Sequence, residues 1–136
     1  MAALTQDRNT PMKDGEELPF PVAAGAKIFA GSIVVANATG FAAPGSTATT
    51  LTALGRAEEY VDNTAGANRA KTVRVRRSKA FKYANLAGDP VVQADLYKVC
   101  YLVDDQTVAK TNGTNTRSAA GKVVGVDADG VWVVIE

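Results

Sequence analysis

Two runs dense in β-branched residues close the chain, Lys122–Val126 and Val131–Ile135, with Asp127-Ala128-Asp129-Gly130 between them. Strand formers, a short Asp/Gly turn and strand formers again predict a β-hairpin. In a hairpin with one wet face, apolar and polar residues alternate. Here Val131, Val133 and Ile135 point one way while Trp132 and Val134 point the other. Both faces of the last strand are therefore apolar, and the second needs a cover: another sheet, an arm or another subunit. Trp132 and Val134 become the candidate subunit-interface residues.

The same pattern recurs along the chain. Lys27–Ala30 and Ser32–Ala36 read as strands broken at Gly31, and Asn37–Gly40 turns the second of them into Phe41–Ala43 as another hairpin. A loop, Pro44–Thr50, leads to a strand region over Leu51–Val61 in which Gly55 marks a bulge or a point of close packing. After the loop Asp62–Arg69, Val73 and Val75 alternate with Thr72, Arg74 and Arg76, the pattern of a half-buried strand. Phe81 and Tyr83 resume it past a break at Ser78-Lys79. Ala87–Pro90 is a turn, and Val91–Leu96 holds one helical turn. Tyr97–Val103 is a strong strand that turns through Asp104–Gln106 into Thr107–Lys110, and Thr111–Ala119 is a polar loop before the terminal hairpin. Residues 1–20 are polar, carry Pro11 and Pro19 and show no periodicity, so they read as an extended arm ahead of a single domain, residues 21–136. About eight to ten short strands with frequent turns and no amphipathic helix predict an all-β fold, a small antiparallel β-barrel or sandwich.

Composition narrows the chemistry. The 136 residues suit one domain. A net charge of +1 argues against a dedicated nucleic-acid binder. With no histidine, a Ser-His-Asp triad, a Cys-His pair and a His-ligated metal are excluded. Cys100 is the only cysteine and lies in the apolar run KVCYLV, which predicts a buried, inert thiol and no internal disulfide. No run of residues has the length of a membrane-spanning helix, and no signal-peptide pattern is present, so synthesis in a cytoplasm is expected.

Candidate sites are few. Asp127–Gly130 lacks the further oxygen ligands of an EF-hand loop and reads as a plain turn. Asp104-Asp105 and Glu58-Glu59 read as surface carboxylates rather than a paired acid site, and no catalytic, cofactor or metal site is expected. The sharpest local feature is the basic segment Arg69–Lys82, with Arg74, Arg76, Arg77 and Lys79 at its centre. Arg74 and Arg76 share a strand face and form a stripe of positive charge. Three uses compete for it: nucleic-acid phosphates, an acidic protein surface, and a solvated edge that discourages strand pairing.

Several segments together carry a resemblance: DRNTPMKDGE (Asp7–Glu16), PVAAGAKIFAGSIV (Pro21–Val34), GRAEEYVDNTAG (Gly55–Gly66), TVRVRRSKAFKYAN (Thr72–Asn85), YLVDDQTVAKT (Tyr101–Thr111) and GKVVGVDADGVWVVI. The chain resembles the small head structural proteins encoded beside the major capsid protein in Mu-like transposable tailed phages and prophages and, more distantly, capsid decoration or cement proteins. The resemblance implies a small β-barrel, usually a homotrimer, on the exterior of the virion head, binding the major capsid protein across neighbouring capsomers. It implies no enzyme activity, no cofactor, and no direct contact with nucleic acid or membrane. In that setting Asp7, Arg8, Pro11 and Lys13 of the arm, with Arg74, Arg76, Arg77 and Lys79, are the candidate capsid contacts. Two alternatives stand beside this reading: a head–tail joining or tail component, and a β-barrel carbohydrate-binding module for host attachment. The second would need a shallow aromatic platform.

Overall fold

The computed structural model describes residues 2–136 and is all-β, with one short 3₁₀ turn at Gln93–Asp95. Its strands are β1 (Glu17–Pro21), β2 (Lys27–Ile28), β3 (Ile33–Ala36), β4 (Ala42–Pro44), β5 (Thr52–Ala57), β6 (Val61–Asp62), β7 (Thr72–Arg76), β8 (Ala80–Asn85), β9 (Val99–Leu102), β10 (Thr107–Ala109), β11 (Ala119–Asp127) and β12 (Gly130–Val134). They form a closed barrel in the order β10-β8-β12-β11-β9, an open sheet in the order β1-β7-β5-β3-β4, and a two-stranded ribbon of β2 and β6. Pairing between these strands is antiparallel except for β10 against β8, a parallel contact at the barrel seam, and a single parallel bridge joins Val22 to Ala42 of β4.

The predicted hairpins are present. β11 and β12 meet at Asp127 opposite Gly130, and β3 returns through Asn37–Gly40 into β4. The predicted irregularity at Gly55 is a bulge: Val34 pairs with Gly55 and Val35 with Ala53, leaving Leu54 as the extra residue. A Cβ on Gly55 would overlap the carbonyl oxygen of Arg76, and the residue sits at φ +152°. Only glycine lets β7 approach so closely there.

Two cores result. One fills the barrel with Phe81, Tyr83, Cys100, Leu102, Val108, Val123, Val131, Val133 and Ile135, and takes Ile33 and Val35 from β3. The other lies under the open sheet, with Val22, Ile28, Leu54, Val73 and Val75, and takes Val34 from β3. Successive residues of a strand face opposite ways, so the run Ile33-Val34-Val35 is buried on both sides and β3 is the wall between the cores. The terminal strand, apolar on both faces in sequence, is covered on one within the chain: Val131 and Val133 are fully buried, while Trp132 keeps 36% of its surface exposed and Val134 is half-buried. Among the described residues no strand layer covers that face.

The polar start of the chain also divides differently from its sequence pattern. Glu17–Pro21 is β1, paired with β7 from Glu17 opposite Arg76 to Pro21 opposite Thr72. The free segment is therefore residues 2–16. Arg77 N donates to Glu16 O at 2.7 Å and Val22 N donates to Lys71 O at 2.9 Å. By the two-residue alternation, Leu18 and Phe20 also turn their amides toward β7, and Pro19 and Pro21 face outward. Prolines on the outer side of an edge strand remove the donors that another chain would pair with.

Candidate docking surfaces

Four surfaces concentrate the groups available for contact. The first is the segment 2–16. Every residue in it is exposed, with Leu4 at 72% and Met12 at 98%. Its internal hydrogen bonds are local, from Arg8 to the Thr10 hydroxyl and from the Glu16 amide to Asp14. The candidate contacts Asp7, Arg8, Pro11 and Lys13 thus stand clear of the body. The segment is anchored at its root by the Glu16–Arg77 backbone bond and by the ion pair between Lys79 and Glu16 at 3.2 Å.

The second surface is the basic strand, and its charge is not free. Arg74 pairs with Glu17 and Glu59 at 3.1 Å each; Arg76 pairs with Glu17 at 3.2 Å and Glu58 at 3.3 Å; Arg56 pairs with Glu58. The hydrogen bond from Arg56 holds the Glu58 carboxyl below the usual carboxylate range, with the Arg56 and Arg76 charges adding to it. β1 and the turn after β5 supply the carboxylates, so the positive stripe expected from β7 alone is an ionic ladder in which Arg56, Arg74 and Arg76 meet Glu17, Glu58 and Glu59. Of the candidate contacts Arg74, Arg76, Arg77 and Lys79, Arg77 alone makes no ion pair among the described residues, and with the arm's Arg8 and Lys13 its charge is left for a partner.

The third surface is the outside of the barrel around the terminal hairpin. The Trp132 indole N–H donates to Asp127 Oδ2 at 2.8 Å, and the ring lies against Gly125 with the Lys82 ammonium 5.7 Å from its centroid. Lys82 also pairs with Asp129 at 3.0 Å, and its hydrogen bond holds that carboxyl below the ordinary range. Both carboxylates of the Asp127–Gly130 turn are therefore engaged by side chains of the protein. Beyond Trp132 the surface continues through half-buried Val124 and Val134 to exposed Val99 and Tyr97, 49% and 71% accessible. Tyr97 is held outward from a left-handed backbone, φ 62°, by its amide donating to Val123 O at 2.7 Å. A groove of about 550 Å³ opens here between the start of β5 and the ends of β11 and β12.

The fourth surface has no signature in the hydrophobic pattern of the sequence. Phe29 and Tyr60 follow and precede the paired residues Ile28 and Val61 of the β2–β6 ribbon, which brings their rings to 5.4 Å at a 33° tilt while each stays more than half exposed. They lie 31 positions apart, in loops whose sequence carries no aromatic spacing, so only the ribbon pairing reveals them. Cys100, by contrast, is fully buried, and burial pushes its thiol up to about 12.

Comparison with protein-family models, with curated proteins and with solved structures finds no match.

Proposed function

We propose that this chain is a structural protein of a tailed-phage virion that decorates the outside of the capsid, binding the major capsid protein across neighbouring capsomers and stabilising the head. The observation that carries the reading is the segment 2–16: fifteen residues, all exposed, rooted firmly on a rigid all-β body. A chain so arranged adds a long contact to whatever lies beside it and becomes ordered on binding. Many such modest contacts on one shell sum through multivalency. The family resemblance over most of the sequence points the same way. The ionic ladder moves the electrostatic contact from Arg74 and Arg76 toward Arg77, Arg8 and Lys13, whose charges are free to meet an acidic capsid surface. Trp132 and Val134, uncovered within the chain, fit the contact between subunits of a homotrimer.

Removal of residues 2–16 is expected to lower occupancy on purified heads by at least about tenfold, as loss of one arm of a multivalent contact does. Undiminished occupancy would sink the reading. Charge reversal at Arg77 should weaken binding more than charge reversal at Arg74, measured by co-sedimentation with heads.

A second reading, attachment to a carbohydrate, draws on the exposed Phe29–Tyr60 pair, since sugar rings stack on aromatic faces. Phe29→Ala and Tyr60→Ala together would abolish retention on host surface glycan under that reading and leave head occupancy unchanged.

A further inference from the structure

β5 is paired unequally on its two sides. Toward β3 it is bonded from Thr52 to Arg56, but toward β7 only Arg56 and Ala57 are paired, opposite Arg76 and Val75. Continuing that register would set residues 78–80 beside Leu54, Ala53 and Thr52. They are not there. Ser78 takes a left-handed conformation, φ 63°, and its amide donates to Ile135 O at 2.7 Å, which swings the chain away into β8. The edge of β5 over Thr52–Leu54 is left open, and Thr52 and Ala53 line the 550 Å³ groove whose other wall is Ala119–Lys122 and Val134–Glu136. A groove with a bare strand edge on one wall and apolar side chains on the other has the form that accepts an extended peptide as an added strand.

We propose that this groove is a strand-addition site whose occupant is residues 2–6 of a second copy of this chain. The segment AALTQ is uncharged and contains the exposed Leu4. The groove wall is nearly neutral too, with one cation, Lys122, and one anion, Glu136. The root of the arm sits at the groove mouth, because Glu16 is bonded to Arg77 and the next residue, Ser78, to Ile135. Between root and docking segment lie residues 7–15, a spacer of nine residues that spans up to about 30 Å when extended. That is roughly the width of a domain of this size. It is far longer than a return into a groove beginning beside its own root needs. The uncovered apolar residues Val134, Val99 and Tyr97 border the groove and would be closed by the same neighbour. Asp7, Arg8, Pro11 and Lys13 lie in the spacer and stay available for other contacts, so the inference holds whether or not the copies sit on a capsid.

The test uses purified full-length protein with no capsid present. One sample carries Ala3→Cys, the other Thr52→Cys, both at exposed positions; Cys100 is buried and does not compete. After mixing, mild oxidation and denaturation, the mass spectrum is expected to show the cross-linked pair of the two variants as the main disulfide species. No cross-link, or one that forms only within a doubly substituted chain at high dilution, would overturn the proposal. In parallel, amide exchange at Ala53, whose backbone faces away from β3, should become about tenfold faster when residues 2–6 are deleted, and unchanged exchange would also overturn it. Head occupancy is a separate measurement: full-length protein that forms the cross-link but does not occupy heads counts against capsid decoration alone.

Discussion

Cys100 shows how one buried residue sets a pH response for the whole chain. Its ordinary thiol value of 9.0 rises to about 12 because burial disfavours the thiolate. A group with a raised folded pKa contributes stability that is complete below its unfolded value and is lost as pH climbs toward the folded one. Unfolding free energy should therefore fall above pH 9, by up to about 1.4 kcal/mol per pH unit. Buried Tyr83, also shifted upward by burial, joins above pH 10. Urea unfolding of Cys100→Ala at pH 8, 9 and 10 is expected to show a flatter profile than the parent between 9 and 10; equal slopes would mean the thiol titrates in the folded state. The burial of Cys100 was legible from the run KVCYLV, and the tight approach at Gly55 from a glycine inside a strand pattern. The partners of Arg74 and Arg76 were not legible. Glu17 lies 57 residues from Arg74, and nothing local in β7 announces that β1 will bring a carboxylate beside it.

Among the elements, the polar loop Thr111–Ser118 is held by one carboxylate. Asp89 Oδ2 accepts from the Thr111 amide at 3.0 Å, the Thr111 hydroxyl at 2.6 Å and Arg117 Nη1 at 2.9 Å. The Thr111 hydroxyl bond is foremost in holding the Asp89 carboxyl below the usual carboxylate range. A depressed folded pKa gives stability that is present above the unfolded value and is lost as pH falls through the folded one. The loop should detach in acid before the barrel opens. Asp89→Asn should release it at neutral pH, read as faster amide exchange over residues 111–118 with the exchange of β11 and β12 unchanged. The turn chemistry of this loop could be read from its Asn, Gly and Thr content, but its clasp could not, since Asp89 lies in a turn 22 residues earlier. The terminal hairpin is the complementary case. Its strand–turn–strand pattern is present, the strand covered on both faces within the chain is β3, and the outer face of β12 is left for a neighbour. Trp132 tolerates the outer face because its indole N–H finds Asp127 and its ring covers Gly125, an arrangement that apolar patterning alone does not register.

At the scale of the whole molecule, β3 decides whether barrel and open sheet are separate units. Ile33 and Val35 belong to the barrel core and Val34 to the sheet core, so neither half closes without the same strand. Further ties cross the boundary: the Arg56 guanidinium, on β5, lies 4.2 Å from the ring centroid of Phe81 in the barrel strand β8, and the Ile33 amide donates to Asp105 O at 2.8 Å. Unfolding should then be a single cooperative step. Trp132 fluorescence reports the barrel, and amide exchange of Val73 and Val75 reports the sheet. Both should shift to the same lower midpoint in Val35→Ala, a buried truncation expected to cost about 2 kcal/mol, although Val35 faces only the barrel core. If the fluorescence midpoint moved while the exchange of β7 stayed at its parent value, β3 would be a strand of the sheet that merely touches the barrel, and the two cores would have to be treated as independent bodies.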